Sequence, residues 1–167
     1  IIAPMGIYSE KYDSPDDIPN GAEIAVPSEA TNMGRALLLL EAAGLLQLKD
    51  GFDGNGTLDA IKENPKKLTT VAAEQTPRVL PDVSASVINN GIAVDAGFHP
   101  VKDSIKLEDE TATPYINIIA ARTEDRDRED LKKIVELYQS DDTAELIKKE
   151  FDGAQLPTFV PLKDIGE

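Results

Sequence analysis

The sequence predicts an α/β fold in which a mostly parallel sheet is covered by helices on both sides. Two observations support that prediction: apolar, β-branched strand segments alternate with helical segments along the chain, and turn residues separate them. The chain has 167 residues, of which 41% are hydrophobic. This is enough for one well-buried domain or two small lobes.

The N-terminal part of the chain contains two predicted strands and one helix. Residues 1–9 are apolar from the first position and are typical of a buried strand, and residues 22–27 form a second, shorter strand. A helix is predicted over residues 32–43, with Ser28 or Thr31 as its N-cap.

The middle of the chain alternates between short helices and strands. The pattern predicts, in order, a short amphipathic helix around Leu58 and Ile61, a strand over residues 68–74, a helix from Pro77 to about Val83, and a strand over residues 85–94 that is interrupted at 89–91.

The C-terminal part begins with residues 115–122, YINIIAAR, which form the strongest strand pattern in the sequence. Apolar residues at three- and four-residue intervals then predict an amphipathic helix. They are Leu131, Ile134, Val135, Leu137 and Tyr138. Residues 140–142 end that helix and cap a second helix over residues 143–151.

Charge and composition exclude several classes of partner. The chain has 31 acidic and 17 basic residues, and a net charge of −14 repels the phosphates of nucleic acids and anionic membrane surfaces. No apolar stretch approaches the roughly 20 residues needed to cross a bilayer. With no cysteine and one histidine, neither a metal nor a cofactor is predicted. Because the chain is apolar from its start, we expect further residues before Ile1.

Arg35 lies close to the start of the predicted helix, where the helix dipole disfavours a cation by roughly 0.3–1 kcal/mol. Asn32 is on the same face, beside backbone N–H groups that have no helical acceptor. A guanidinium, free amides and an asparagine together suit a carboxylate. The alternative is a surface arginine that pairs with Glu29 or Glu41. The position of the helix directly after a strand favours a ligand site, because ligands bind beyond the carboxyl ends of strands in open α/β sheets.

Asn89 and Asn90 interrupt an otherwise apolar segment. Their amides need partners, either from neighbouring backbone or from a bound molecule. Gly91 follows them, so the alternative interpretation is a β-turn in which asparagine has its usual role.

Metal and catalytic motifs are weak. Alternating acids in residues 124–130 and 50–56 resemble calcium loops but lack the closing glutamate at the required offset. A solvated helix start and a mobile surface loop explain them better. The chain has no G-x-S-x-G elbow and no glycine-rich phosphate motif, and His99 has no Ser or Asp at an informative spacing. No enzyme is predicted.

Residues 26–51, VPSEATNMGRALLLLEAAGLLQLKDG, carry a resemblance to a known family. They are similar to the V-P-N-D-P-T-N-x-G-R-x-L-L-L-L segment of the NlpA-type methionine-binding lipoproteins, the substrate-binding subunits of bacterial methionine ABC transporters. Further blocks follow in the family order and extend the resemblance over nearly the whole chain. They are residues 63–68, 77–83, 85–90, 110–122 and 135–153.

The resemblance implies a periplasmic-binding-protein-like fold, of which this chain holds the second lobe, the hinge strands and the C-terminal helices. On that plan residues 1–13 are the first hinge-crossing strand and residues 14–114 the ligand-binding lobe. Residues 115–122 are the return hinge strand, and residues 123–167 form C-terminal helices on a remnant of the first lobe. Most of that first lobe has no counterpart in the sequence.

The resemblance also implies a binding site. The arginine of T-N-x-G-R, here Arg35, holds the α-carboxylate of the ligand in family members. Asn32 helps to fix the amino-acid head group, and Asn89 contacts the same polar end. We therefore expect Arg35→Ala to abolish tight binding and to leave the fold nearly intact.

The implied function is that of an extracytoplasmic, non-catalytic protein that binds methionine or a related amino acid. It would deliver this ligand to the membrane permease of an ABC transporter. A lipid anchor outside this segment would be its membrane contact. Two alternatives share the architecture: the ligand-sensing effector domain of a bacterial regulator, and an enzyme built on the same scaffold.

Overall fold

The computed structural model describes residues 1–109 and 115–160. The chain divides into two compact units. One consists of Pro4–Glu108 and is called the sheet unit below, and the other consists of Ile1–Ala3 and Asp109–Glu167 and is called the helical unit. All three site residues predicted from the sequence belong to the sheet unit.

The sheet unit is built on five paired strands. These are β1 (Gly6–Tyr8), β2 (Glu23–Pro27), β5 (Thr69–Ala73), β6 (Ala85–Ile88) and β7 (Ser104–Leu107), while β3 (Gln47–Leu48) and β4 (Ile61–Glu63) form a separate antiparallel pair. The order in the sheet is β5-β2-β6-β1-β7. β2 pairs in parallel with β5 and β6, whereas β1 is antiparallel to both β6 and β7. Four strands therefore run in one direction, which confirms the mostly parallel sheet.

Helices cover both faces of this sheet. One face packs against α1 (Ala30–Ala42), and the other packs against α2 (Thr76–Val79) and α3 (Asn90–Asp95). A short helix, α4 (Pro100–Asp103), precedes β7. All four residues of β6 are buried, as expected for a strand covered on both sides. The leucine run of α1 supplies much of the core, since Leu37 and Leu40 are fully buried.

Gly34 lets α1 approach the backbone of the glycine-rich loop over residues 50–56. A Cβ atom on Gly34 would lie 2.0 Å from the carbonyl oxygen of Gly54 and 3.2 Å from the amide nitrogen of Gly56. No larger residue fits at this contact. The segment predicted as a mobile surface loop is therefore packed against the helix that carries Asn32 and Arg35.

Several local predictions from the sequence are wrong. Leu58–Ala60 is a single 3₁₀ turn that leads into β4, and no amphipathic helix forms there. The strand predicted over residues 85–94 ends at Ile88, and the next apolar residues lie in α3. Short apolar runs do not distinguish strand from helix by periodicity, which accounts for the second error. α2 is also shorter than predicted and ends at Val79.

The helical unit contains α5 (Glu129–Tyr138) and α6 (Asp141–Phe151). Ser140 caps α6, because its Oγ accepts a hydrogen bond from the amide of Thr143 at 3.2 Å. This confirms the predicted cap and the second helix. Ile2 forms an antiparallel bridge with Leu156 in the same unit.

Residues 115–122, predicted as the strongest strand, form no strand. Within the described part of the helical unit, their backbone pairs at Asn117, whose N–H donates to the carbonyl oxygen of Ile1 at 2.8 Å. Ile118 and Ile119 are 58% and 48% exposed. A β-branched pattern indicates that a segment can pair, but a strand also needs a neighbouring strand along its length.

No helix in the described ranges is long and apolar enough to span a bilayer.

Candidate functional site

The candidate site lies at one edge of the sheet, called the site edge below. β2 and β6 are parallel and end there, and β7 ends there too because β1 is antiparallel to both β6 and β7. The residues that follow these strands are therefore brought together, as is the start of β1. Ligand sites in open α/β sheets form at such edges.

Glu29 caps α1, so the prediction of Ser28 or Thr31 as N-cap is wrong. Its two carboxylate oxygens accept hydrogen bonds from the amides of Thr31 and Asn32, at 2.9 and 3.0 Å. These bonds, first that of Thr31 and then that of Asn32, hold the pKa of the Glu29 carboxyl below its ordinary value. Two of the amides that were expected to face a ligand anion are therefore bound by this side chain.

Asn32 and Asn89 meet at the site edge, although 57 residues separate them in the sequence. The Asn89 Nδ2 donates to the Asn32 Oδ1 at 2.8 Å, and both residues are half-buried. Asn89 occupies the N-cap position of α3, but its side chain does not cap that helix. Its amide is therefore directed to α1, and the β-turn alternative does not describe its role.

Arg35 forms a bidentate ion pair with Glu108. Its Nε donates to Glu108 Oε1 at 2.9 Å, and its Nη2 donates to Glu108 Oε2. The two side chains are 13% and 11% exposed. The sequence alternatives paired Arg35 with Glu29 or Glu41, but Glu29 is the helix cap and Glu41 accepts the amide of Leu48 at 2.7 Å.

Glu108 is itself fixed to the backbone at the start of β1. Its Oε2 accepts the amide of Met5 at 3.1 Å, and its own N–H donates to the Met5 carbonyl oxygen at 2.8 Å. One carboxylate thus joins Arg35 of α1 to the backbone of the neighbouring strand. The expectation that Arg35→Ala leaves the fold nearly intact is corrected by this contact, because the substitution would leave a largely buried carboxylate without its cation.

Sequence reasoning missed the contacts of Met5 and Glu108, and it missed the role of Glu29 as the cap of α1. Glu29 could have been recognised, because its carboxylate directly precedes a helix, where negative charge is favoured. Glu108 could not have been chosen among 31 acidic residues, since it lies 73 positions from Arg35.

The remaining candidates from the sequence do not form a second centre. Among the described residues, no group of three or more His, Cys, Asp or Glu side chains is placed to hold a metal ion. Asp53 accepts the amide of Asn55 within its own loop, and Asp50 pairs with Lys62. His99 begins α4, and its amide donates to Asp103 Oδ2.

Comparison with known proteins assigns the chain to one family. The family model described as NlpA lipoprotein matches residues 1–159. The lipoprotein YhcJ of Bacillus subtilis is 44% identical over 166 residues, which cover 99% of this chain and 60% of YhcJ. The D-methionine-binding lipoprotein MetQ of Escherichia coli K12 is 42% identical over 156 residues, covering 91% of this chain and 57% of MetQ.

Solved structures agree with the fold. A nutrient binding protein from Burkholderia cenocepacia bound to methionine is 46% identical, with a TM-score of 0.87, and the match covers 95% of this chain and 67% of that protein. Protein PG110 of Staphylococcus aureus has a TM-score of 0.90 at 40% identity, covering 98% of this chain and 66% of PG110. The chain therefore spans about 60% of the length of the curated relatives it matches. These comparisons give no support to the regulator alternative.

Proposed function

The chain belongs to the NlpA lipoprotein family, and on that premise we propose that it forms part of a substrate-binding protein for methionine or a closely related amino acid. The protein would work outside the cytoplasm, held at the membrane by a lipid anchor. It would deliver its ligand to the permease of an ABC importer, without catalysis. The names of MetQ and of the Burkholderia protein support methionine as the ligand class.

The observation that carries the proposal is the hydrogen bond between Asn89 and Asn32 at the site edge, where Asn32 belongs to the helix α1 that also carries Arg35 three positions later. An amino acid has a carboxylate and an ammonium group within a few ångströms. A guanidinium and two amides are suited to this pair of charges, because arginine donates to the carboxylate and amide oxygens accept from the ammonium. The direct contact of these three residues with a ligand remains a prediction.

Binding would favour a closed arrangement of the natural protein, because a ligand can shift a conformational equilibrium only through contacts that differ between the two states. Affinity would come from the carboxylate–guanidinium pair together with an apolar pocket for the side chain. The amides of Asn32 and Asn89 would fix the orientation of the head group.

The test is calorimetric titration of the natural protein that carries this chain with L-methionine and D-methionine. Arg35→Lys keeps the positive charge that Glu108 needs but removes the planar guanidinium and its parallel N–H donors. We therefore expect the affinity for methionine to fall by about 10- to 100-fold. The matched control is Arg126→Ala, which removes a side chain that is 76% exposed in the helical unit. Native mass spectrometry of the parent protein purified without added ligand would identify a retained amino acid directly.

A parent protein that binds neither enantiomer, and that carries no amino acid after purification, would refute the proposal. If Arg35→Lys bound methionine as tightly as the parent protein, the function would stand but the assignment of Arg35 would be wrong.

A further inference from the structure

We propose that Glu108 is the positioning residue for Arg35: anchored on the Met5 backbone, it fixes the plane of the guanidinium so that a ligand carboxylate meets it in one orientation. This inference rests on the proposed function and adds to it the residue through which Arg35 is held. Neither the charge pattern of the sequence nor the expected contacts of Arg35 with ligand assign a role to Glu108.

The ion pair itself restricts Arg35 strongly. Two parallel bonds, from Nε to Oε1 at 2.9 Å and from Nη2 to Oε2, define the plane of the guanidinium as well as its position. A free arginine side chain has several flexible torsions, and this freedom is lost when it binds a ligand. A guanidinium that is already held by Glu108 loses less freedom when a ligand binds, which improves affinity.

The anchor of Glu108 is backbone rather than another flexible side chain. Its Oε2 accepts the Met5 amide at 3.1 Å, and the two residues also pair through the Glu108 N–H and the Met5 carbonyl oxygen at 2.8 Å. Met5 is fully buried. Met5 directly follows Pro4, the first residue of the sheet unit, and Glu108 is the last residue of that unit. The orientation of Arg35 is thus tied to the backbone at both ends of the sheet unit.

The alternative is that Glu108 competes with the ligand and is displaced by its carboxylate. Displacement would exchange one carboxylate for another at Arg35 and would leave Glu108, only 11% exposed, without its cation. Such an uncompensated charge is costly, so displacement gives little net affinity. The geometry therefore favours positioning over competition.

The experiment compares Glu108→Asp with Glu63→Asp in the natural protein. Glu108→Asp keeps the charge but withdraws the carboxylate by one methylene, so it cannot reach both Arg35 and the Met5 amide. Glu63 is an exposed acid of β4 and serves as the matched control. We expect Glu108→Asp to weaken binding of L- or D-methionine by about ten-fold, and Glu63→Asp to change it less than two-fold.

Two further measurements separate positioning from general damage to the fold. The amino alcohol methioninol lacks a carboxylate, so it cannot use the orientation of the Arg35 guanidinium. Its dissociation constant should therefore be the same for the parent protein and for Glu108→Asp. Hydrogen exchange of the Arg35 Nε–H, followed by NMR, should become faster in Glu108→Asp while the backbone amides of β2 exchange as before. Faster exchange throughout β2, with equal loss of affinity for methionine and methioninol, would overturn the inference.

If Glu108 instead competed with the ligand carboxylate for Arg35, Glu108→Asp would bind methionine more tightly than the parent protein. If Glu108→Asp or Glu108→Ala bound methionine as tightly as the parent protein or more tightly, the positioning role would be excluded. If the parent protein bound neither enantiomer, the proposed function itself would fail. The two failures are therefore distinguishable.

Discussion

The side chain of Asn89 donates a hydrogen bond to that of Asn32 at 2.8 Å, and so joins the end of β6 to the first turn of α1. Each asparagine is half-buried and follows a strand of the parallel part of the sheet. The link holds the Asn89 amide against Asn32, which lies three positions before Arg35 in α1. Their separation, and with it the shape of the proposed head-group site, depends on this bond.

Asn89→Ala should weaken methionine binding while costing only about 1 kcal/mol of stability, the usual net contribution of one neutral hydrogen bond. Calorimetric titration and urea denaturation check the two effects. Asn20→Ala, in an exposed turn, is the matched control and should change neither quantity. Unchanged affinity in Asn89→Ala would remove this residue from the site.

Gly34→Ala should destabilise the sheet unit by about 1–3 kcal/mol or more, because the new methyl group would overlap the Gly54 carbonyl oxygen. Gly91→Ala is the matched control, since Gly91 is also helical and a Cβ atom there meets nothing within 4 Å. The control should be neutral or slightly stabilising. Urea denaturation compares the two variants, and equal stability would contradict the close packing of the loop on α1.

Arg35→Met should cost about 3 kcal/mol, because it leaves the Glu108 carboxylate largely buried and unpaired. Adding Glu108→Leu should recover part of that loss, since the unpaired charge is then removed. Chemical denaturation of both single variants and the double variant gives the coupling free energy between the two residues. Strictly additive losses would mean that the ion pair does not contribute to stability.

The Glu29 cap should make stability depend on pH in the acidic range. Because the amides of Thr31 and Asn32 lower the pKa of Glu29 in the folded state, the cap stabilises the protein above the unfolded pKa. That contribution is lost as the pH falls through the lowered folded pKa. The melting temperature of Glu29→Gln should therefore lie below that of the parent protein at pH 7, and the difference should vanish at low pH. The control is Glu63→Gln, a substitution of an exposed acid of β4, which should leave the melting temperature at pH 7 unchanged.

Lys66→Met should lower the free energy of unfolding by about 1.5–3 kcal/mol, the range for hydrogen bonds to a charged group. The half-buried Lys66 ammonium donates to the carbonyl oxygens of Pro15, Asp16 and Ile18, at 3.3, 2.9 and 2.9 Å. The exposed Lys106→Met is the matched control. A loss no larger than that of the control would show that solvent replaces Lys66 at these carbonyls.

The sequence predicted the elements whose signals are local. The strand at Glu23–Pro27, the leucine-rich α1 and the Ser140 cap each depend on residues within a few positions of one another, and all three formed within one or two residues of the prediction. The resemblance to the family, confirmed by the comparisons, rests on the same kind of local pattern around T-N-x-G-R.

Other elements depended on contacts with residues that are distant in the sequence. Residues 115–122 have a strong strand pattern but form no strand, and the apolar residues after Asn89 became a helix, because pairing partners and packing are not visible in a short segment.

What the sequence by itself determined was the alternating α/β order, the start of α1 after β2, and the place of Arg35 three positions after Asn32 in the first turns of that helix. Only the tertiary structure decided that Asn89 binds Asn32, and that Glu108 rather than Glu29 or Glu41 holds the Nε and Nη2 of Arg35. The reason is physical: helix and strand patterns are set by neighbours in sequence, whereas these contacts join residues 57 and 73 positions apart and exist only after the sheet has aligned the ends of its strands.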